Sequence, residues 1–298
     1  MASRIGILFD RDIAPEELPG FARAVEEAGA DDLWVVEDLS WPGSIATATI
    51  ALAATTRIRV GIGIAPVPLR NPALLAMELA TLARVYPGRL VAGLGHGVPE
   101  WMRQVGAEHK GKLALLSETI EAVRGLLHGD KVELTGREVT VDGITLVHPP
   151  AEAPPLVAGV VGPRSLELSG KHADGTILPE GFGPARIKDA LDAIARGRAT
   201  GDRPAHELIV FTYLRIAETE ARAAEEISDA IEGQAAWLGV PPADVFSVLG
   251  PESIIEPRVT DLEATGATTI VLRPMGPDPL PQALTALKAL AISGPGGS

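Results

Sequence analysis

The chain has 298 residues, a formal net charge of −13, 46% hydrophobic residues and no cysteine. That length suits one large α/β barrel or two ordinary domains, and the lack of cysteine removes disulfides, thiolate metal sites and cysteine nucleophiles together. The acidity argues against nucleic acid as a partner, because phosphate contacts need a basic face. No apolar run reaches membrane-spanning length, and too few apolar residues separate Arg4 from Asp10 for a secretory signal. A cytoplasmic protein with a small-molecule substrate, no nucleic acid and no membrane partner is therefore expected.

In chain order, apolar runs at Arg4–Phe9, Asp32–Glu37, Ile58–Ile64, Leu90–Gly95, Leu156–Ala158, Gly175–Leu178, Glu207–Arg215 and Thr269–Leu272 read as strands. Helical patterns lie between them. Asn71-Pro72 caps and starts one that runs to Arg84. Another, Lys112 to Leu127, places Leu113, Leu116, Ile120, Val123 and Leu127 on one face. Two segments, Glu27-Ala28-Gly29-Ala30-Asp31 and Ala264-Thr265-Gly266-Ala267-Thr268, each end a helix on a glycine suited to a left-handed cap and pass straight into an apolar strand. Lys171-His172-Ala173-Asp174-Gly175 does the same with a smaller turn. Repeated helix–turn–strand units of this kind indicate a parallel sheet covered by helices.

Eight such units predict a (β/α)8 TIM barrel, with a doubly wound open sheet as the alternative. Two stretches break the rhythm. Thr135-Gly136 and Asp142-Gly143 mark a hairpin insertion at 131–148, after strand four, and a proline-containing, irregular insertion is expected at 228–258, after strand seven. No linker separates domains, so residues 1–292 read as one domain and 293–298 as a flexible tail.

In a parallel barrel the carboxyl ends of the strands face the active site, and here they run out into Gly61, Gly63, Gly95 and Gly97. Glycine at such tips lets a backbone approach a flat or charged group, and the pattern suits a planar cofactor. Few histidines lie near strand ends, the lysines fall on helices or loops, and no Gly-x-Ser-x-Gly elbow is present. No metal site is expected. Such a sparse set of reactive side chains fits an enzyme whose cofactor carries the hard chemistry.

Thr55-x-Arg57-Ile58-x-Val60-Gly61, Arg70-Asn71-Pro72-Ala73 and Gly88-Arg89-Leu90-x-x-Gly93-Leu94-Gly95-x-Gly97 together resemble the bacterial-luciferase-like superfamily of flavin- and F420 (deazaflavin)-dependent oxidoreductases. Pro154-Pro155-Leu156 through Arg164-Ser165 and Ala173-Asp174-Gly175 resemble its strand five, glycine turn and strand-six entry. The resemblance implies a TIM barrel with the cofactor ring across the strand tips. It implies that Gly63-Ile64 forms a cis-peptide bulge behind that ring, and that Val161, Gly162, Arg164 and Ser165 cradle the cofactor phosphate, with Gly97 also at the cofactor.

At the strand-two tip, deazaflavin enzymes of this family often carry Asp-His; here the matching pair is Glu37-Asp38, and the histidine is missing. Val98 stands where sugar-phosphate dehydrogenases of the family carry a catalytic glutamate, and Phe182 where they carry a lysine, so a phosphorylated sugar is not the expected substrate. Candidate catalytic residues are therefore His96, Asp38 and Glu37, with Glu100 and Trp101 in the same loop as pocket-lining residues. Arg164, Arg186 and Arg273 are candidates for receiving the carboxylates of the F420 side chain. The expected function is hydride transfer between F420 and an organic substrate. The alternatives are an FMN-dependent monooxygenase using oxygen and a non-catalytic flavin-binding barrel. The weakly charged helices at 44–56 and 73–83 suggest a homodimer, as is common in the family.

Overall fold

The structure, a computed structural model, describes residues 3–293. The strands are β1 (Arg4–Leu8), β2 (Asp32–Val35), β3 (Arg59–Pro66), β4 (Leu90–Gly95), β5 (Val132–Thr135), β6 (Thr140–Ile144), β7 (Leu156–Gly159), β8 (Gly175–Leu178), β9 (Glu207–Ile216), β10 (Val248–Gly250) and β11 (Thr269–Pro274). The α-helices are α1 (Leu18–Glu27), α2 (Ser44–Ala54), α3 (Pro72–Val85), α4 (Pro99–Gln104), α5 (Lys112–Leu127), α6 (Pro163–His172), α7 (Pro184–Arg198), α8 (Glu220–Glu226), α9 (Ser228–Leu238), α10 (Ile255–Glu263) and α11 (Pro279–Ser293).

All pairings in the main sheet are parallel, in the order β11-β1-β2-β3-β4-β7-β8-β9, and β9 pairs back to β11. The sheet is thus closed and helices surround it: a (β/α)8 TIM barrel. Each expected strand is a barrel strand. Closure leaves no open edge, which the doubly wound alternative would have required. Gly29 and Gly266 have φ of +96° and +91°, the left-handed conformation their helix ends demand. Asn71 caps α3 by accepting from the N–H of Ala73 at 2.9 Å.

The hairpin insertion is β5–β6, antiparallel and separate from the barrel. Glu118 of α5 ties it down by accepting from the N–H groups of Arg137, Glu138 and Val139, each at 2.8 Å. The second insertion is more regular than its prolines suggest. It contains α9 and then β10, which extends the sheet beside β9. Residues 294–298 of the expected tail lie outside the described residues, and Ser293 ends α11.

The barrel interior is packed by Leu8, Trp34, Val91, Val157, Ile177, Ile209, Phe211 and Val271. The β3 glycines make room for these side chains. A Cβ at Gly61 would stand 2.4 Å from the Trp34 ring, and one at Gly63 would stand 2.7 Å from Phe211. Trp34 is fully buried and meets Phe211 edge-to-face, with ring centroids 5.3 Å apart.

Ion pairs close the amino-terminal end of the barrel. Asp32 takes Arg4 at 2.6 Å and Arg59 at 2.7 Å, and Arg59 also reaches Glu207 at 2.6 Å. His206 sits at this same end, with Nε2 2.8 Å from Thr176 Oγ1, remote from the strand tips. Burial, with a smaller contribution from Arg198, lowers its pKa from 6.5 to about 4. The unfolded chain therefore binds the extra proton first, and the stabilisation is complete above pH 6.5 and lost as pH falls toward 4. His206→Gln should flatten the drop in melting temperature between pH 7 and 4.5; equal acid losses in both proteins would show that this histidine does not contribute.

Candidate active site

At the carboxyl ends of the strands lies a cavity of about 450 Å³. Its floor is Ile64. Between Ile62 and Ala65 the β3–β4 register shifts by a bulge, and the Gly63–Ile64 peptide within it is cis. Glycines of the neighbouring strands yield space to this isoleucine. A Cβ at Gly159 would stand 2.4 Å from Ile64 Cγ2, and one at Gly95 would stand 2.9 Å from Ile64 Cδ1. The strand-tip glycines were expected to admit a cofactor directly. Their immediate neighbours are instead the barrel's own side chains, and it is Ile64 that reaches the cavity. A side chain at position 63 would strike Phe211 in the core, so Gly63 belongs to folding as much as to the site.

One wall is built by the β4 and β7 tips. His96 Nε2 lies 3.1 Å from Ser165 Oγ, and His96 Nδ1 is buried with no hydrogen-bond partner. Burial, assisted by the nearby Lys112 charge, lowers the His96 pKa from its ordinary value, so the imidazole is neutral at neutral pH. Gly97 has φ of +69° and lets the chain turn into α4. Gly162 is the N-cap of α6 and Pro163 begins the helix, with no side chain satisfying its first N–H groups. Lys112, the first residue of α5, also lines the cavity and makes no ion pair among the described residues. This wall therefore collects a hydroxyl, an ammonium and open backbone donors, a set suited to a phosphate.

The β2 tip provides Glu37 and Asp38, both at the cavity. Glu37 is ion-paired with Arg70 and accepts from Ser44, through its hydroxyl and through its N–H at 3.0 Å. Asp38 is ion-paired with Arg11, whose guanidinium lies over the Trp41 ring at 4.3 Å. Both carboxylates are engaged in holding their loop. Ser40, two residues after Asp38, has φ of +78°, in a region disfavoured for a residue with a Cβ.

The remaining expected residues divide. Ile64, His96, Gly97, Val161, Gly162 and Ser165 line the cavity, as does Gly63. Arg164 does not: it is exposed on the outward side of the first turn of α6. Arg186 lies over the Phe182 ring at 4.6 Å, beside a different groove. Arg273 is at the mouth, but Asp10 at 2.7 Å and Glu180 at 3.0 Å take up its guanidinium. Trp101 lines the cavity from α4, whereas Glu100 is exposed and pairs with Arg103 at 2.8 Å. Trp237 of the late insertion also lines the cavity, whereas Lys112 and Glu180 are cavity residues that sequence reasoning did not single out. Lys112 carries no local signal, since a lysine at a helix start is ordinary until the fold places it at the cavity with Ser165.

A closed parallel barrel with one end sealed by ion pairs and the other opening onto a cofactor-sized cavity is the architecture of a TIM-barrel enzyme. The chain belongs to the luciferase-like monooxygenase family, whose model matches residues 4–266. It is 25% identical over 296 residues to the 5,10-methylenetetrahydromethanopterin reductase of Methanolobus tindarius, covering 87% of this chain and 90% of that protein. It is 30% identical over 217 residues to the F420-dependent glucose-6-phosphate dehydrogenase of Nakamurella multipartita, covering 68% of this chain and 63% of that one. Among solved structures it is similar to an F420-dependent secondary alcohol dehydrogenase in complex with an F420–acetone adduct. There the TM-score is 0.86 at 20% identity, over 97% of this chain and 98% of that one, a likeness in fold. The protein is an enzyme of the oxidoreductase kind. No helix among its described residues is long and apolar enough to cross a membrane.

Proposed function

We propose that the protein transfers a hydride between coenzyme F420 and a small organic substrate at the barrel mouth. The observation that carries this reading is the pairing of an apolar shelf, Ile64, with a phosphate-suited wall formed by Lys112, Ser165 and the open first turn of α6. A ring-bearing phosphorylated cofactor needs both. When bound, the deazaflavin supplies the carbon that carries the hydride.

The chain's own residues do the rest. Gly63-Ile64 supports the ring from below, and Val161 and Gly162 present backbone donors to the phosphate, joined by Ser165 and Lys112. Gly97 sets the turn that brings His96 alongside. A neutral His96 accepts the proton released when a substrate hydroxyl is oxidised, and returns it in the reverse direction. Glu37 and Asp38 act as positioning residues, because their partners Arg70 and Arg11 hold the strand-two loop against the cavity. We read the barrel as one domain with two insertions, working in the cytoplasm. We further propose a homodimer through α2 and α3, which leave Ile50, Leu74 and Met77 exposed.

Absorbance titration with F420 and with FMN tests the cofactor. F420 should bind with a Kd of about 1 μM or tighter, roughly −8 kcal/mol, and FMN at least about tenfold more weakly. Turnover with F420 should proceed at full rate without oxygen. Tighter FMN binding with oxygen-dependent turnover would establish the monooxygenase reading instead. Uptake of cofactor with no redox change across a substrate panel would favour a non-catalytic barrel.

A further inference from the structure

The cavity is electrically lopsided. At the β4 and β7 side stands Lys112, with no ion pair among the described residues. At the β1, β8 and β11 side stands a cluster of two carboxyl groups against one guanidinium, in which Glu180 and Arg273 line the cavity and Asp10 pairs with Arg273 without lining it. Arg273 Nε donates to Asp10 Oδ2 at 2.7 Å, and Nη1 donates to Glu180 Oε1 at 3.0 Å. Asp10 and Glu180 are only 6% and 7% exposed. Burial works against the Arg273 charge, but Glu180 and Asp10 outweigh it and hold the guanidinium above its ordinary pKa. Around the closed sheet, β11 and β1 lie diametrically across from β4 and β7. Asp10 and Arg273 belong to that far side, and Glu180 meets Arg273 from the tip of β8, the neighbour of β7.

The other charges at the cavity cancel within their own pairs, Glu37 with Arg70 and Asp38 with Arg11. Between the poles the walls are Val36, Phe211, Pro179, Trp101 and Trp237. A cofactor phosphate placed at Lys112 leaves no unpaired cation among the described cavity residues for a second anion, and an acidic substrate would approach a surplus carboxylate in a poorly solvated site.

We propose that the substrate is an uncharged, largely apolar molecule, and that the Asp10–Arg273–Glu180 cluster is a specificity device that turns anions away. The inference rests on the functional reading above only in assigning Lys112 to the cofactor. Glu180 gives the device its sign: with Asp10 alone, Arg273 would be neutralised one to one, and the second carboxylate makes this end repel anions. The aromatic and proline walls offer apolar area, which favours an uncharged, largely apolar frame.

Protein loaded with F420 provides the test, with ligand binding followed by the change in cofactor fluorescence rather than by turnover. The probes are matched neutral and carboxylated frames: cyclohexanone with 4-oxocyclohexanecarboxylate, and acetophenone with 4-acetylbenzoate. The neutral member of a pair should bind at least about tenfold more tightly, the equivalent of 1.4 kcal/mol. Glu180→Gln should narrow that ratio several-fold. A panel in which no neutral ligand binds more tightly than its acid overturns the inference, as does tighter binding of 4-(dimethylamino)cyclohexanone in its cationic form. Failure of F420 itself to bind is a separate outcome that overturns the functional reading; the same ligand pairs are then compared on FMN-loaded protein by flavin fluorescence, with the same criteria.

Discussion

Lys112→Ala should weaken F420 binding by roughly 10- to 150-fold, the span of about 1.5–3 kcal/mol for a hydrogen bond to a charged group. The argument is that Lys112 is half-buried, lines the cavity with Ser165 and Gly162, and has no ion pair among the described residues. A second readout separates this role from general damage. Lys112 contributes to the lowered pKa of His96, so its removal should raise the His96 titration midpoint, measured by NMR on protein without cofactor. The control is Arg164→Ala. Its side chain is exposed and does not line the cavity, and F420 affinity should stay within about twofold. A large loss at Arg164 with none at Lys112 would return the phosphate contact to the arginine.

Asp32→Ala should destabilise the fold by about 3 kcal/mol, at the lower edge of the cost of breaking a buried ion pair. Asp32 is fully buried at the start of β2, and both of its oxygens are used: Oδ1 accepts from Arg4 and Arg59, and Oδ2 from Arg59. Its loss leaves the half-buried Arg59 with Glu207 as its remaining ionic partner, and removes a contact joining β1, β2 and β3. Arg4 is more exposed and recovers water, which is why the expected cost lies at the lower edge. Urea unfolding should show a lower midpoint at unchanged slope, while F420 affinity of the folded protein should change little, because this cluster lies at the end of the barrel away from the cavity. A variant as stable as the parent would mean that the pairing only offsets its own desolvation.

Much of this was legible in the chain itself. Strand positions follow from apolar runs bounded by glycine and proline, and a closed barrel is what eight parallel units can build when each buries both faces. Helix ends follow from Gly29, Gly266 and Asn71, whose preferences act over a few residues and need no distant partner. In the insertion at 228–258, prolines at 241, 242 and 251 punctuate the chain locally, while α9 is stabilised by packing of Ile231 and Ala235 in one cluster with Tyr213 and Val245.

Side-chain commitments were beyond the sequence, because they depend on which strands become neighbours. Glu37 and Asp38 read as an acidic pair at a strand tip, and only the fold brings Arg70 and Arg11 from other loops to meet them. Arg273 read as open to a ligand until β1 and β8 supply Asp10 and Glu180. The glycines of β3, β4 and β7 read as a bed for a cofactor, whereas Trp34, Phe211 and Ile64 fill the space above them. Local backbone preference and hydrophobic period are properties of a few consecutive residues, so the sequence alone determined the barrel and the location of its mouth. Charge pairing and steric contact act across the closed sheet between residues far apart in the chain, so only the tertiary structure decided that Lys112 is the cation left unpaired at the cavity while Arg273 is not.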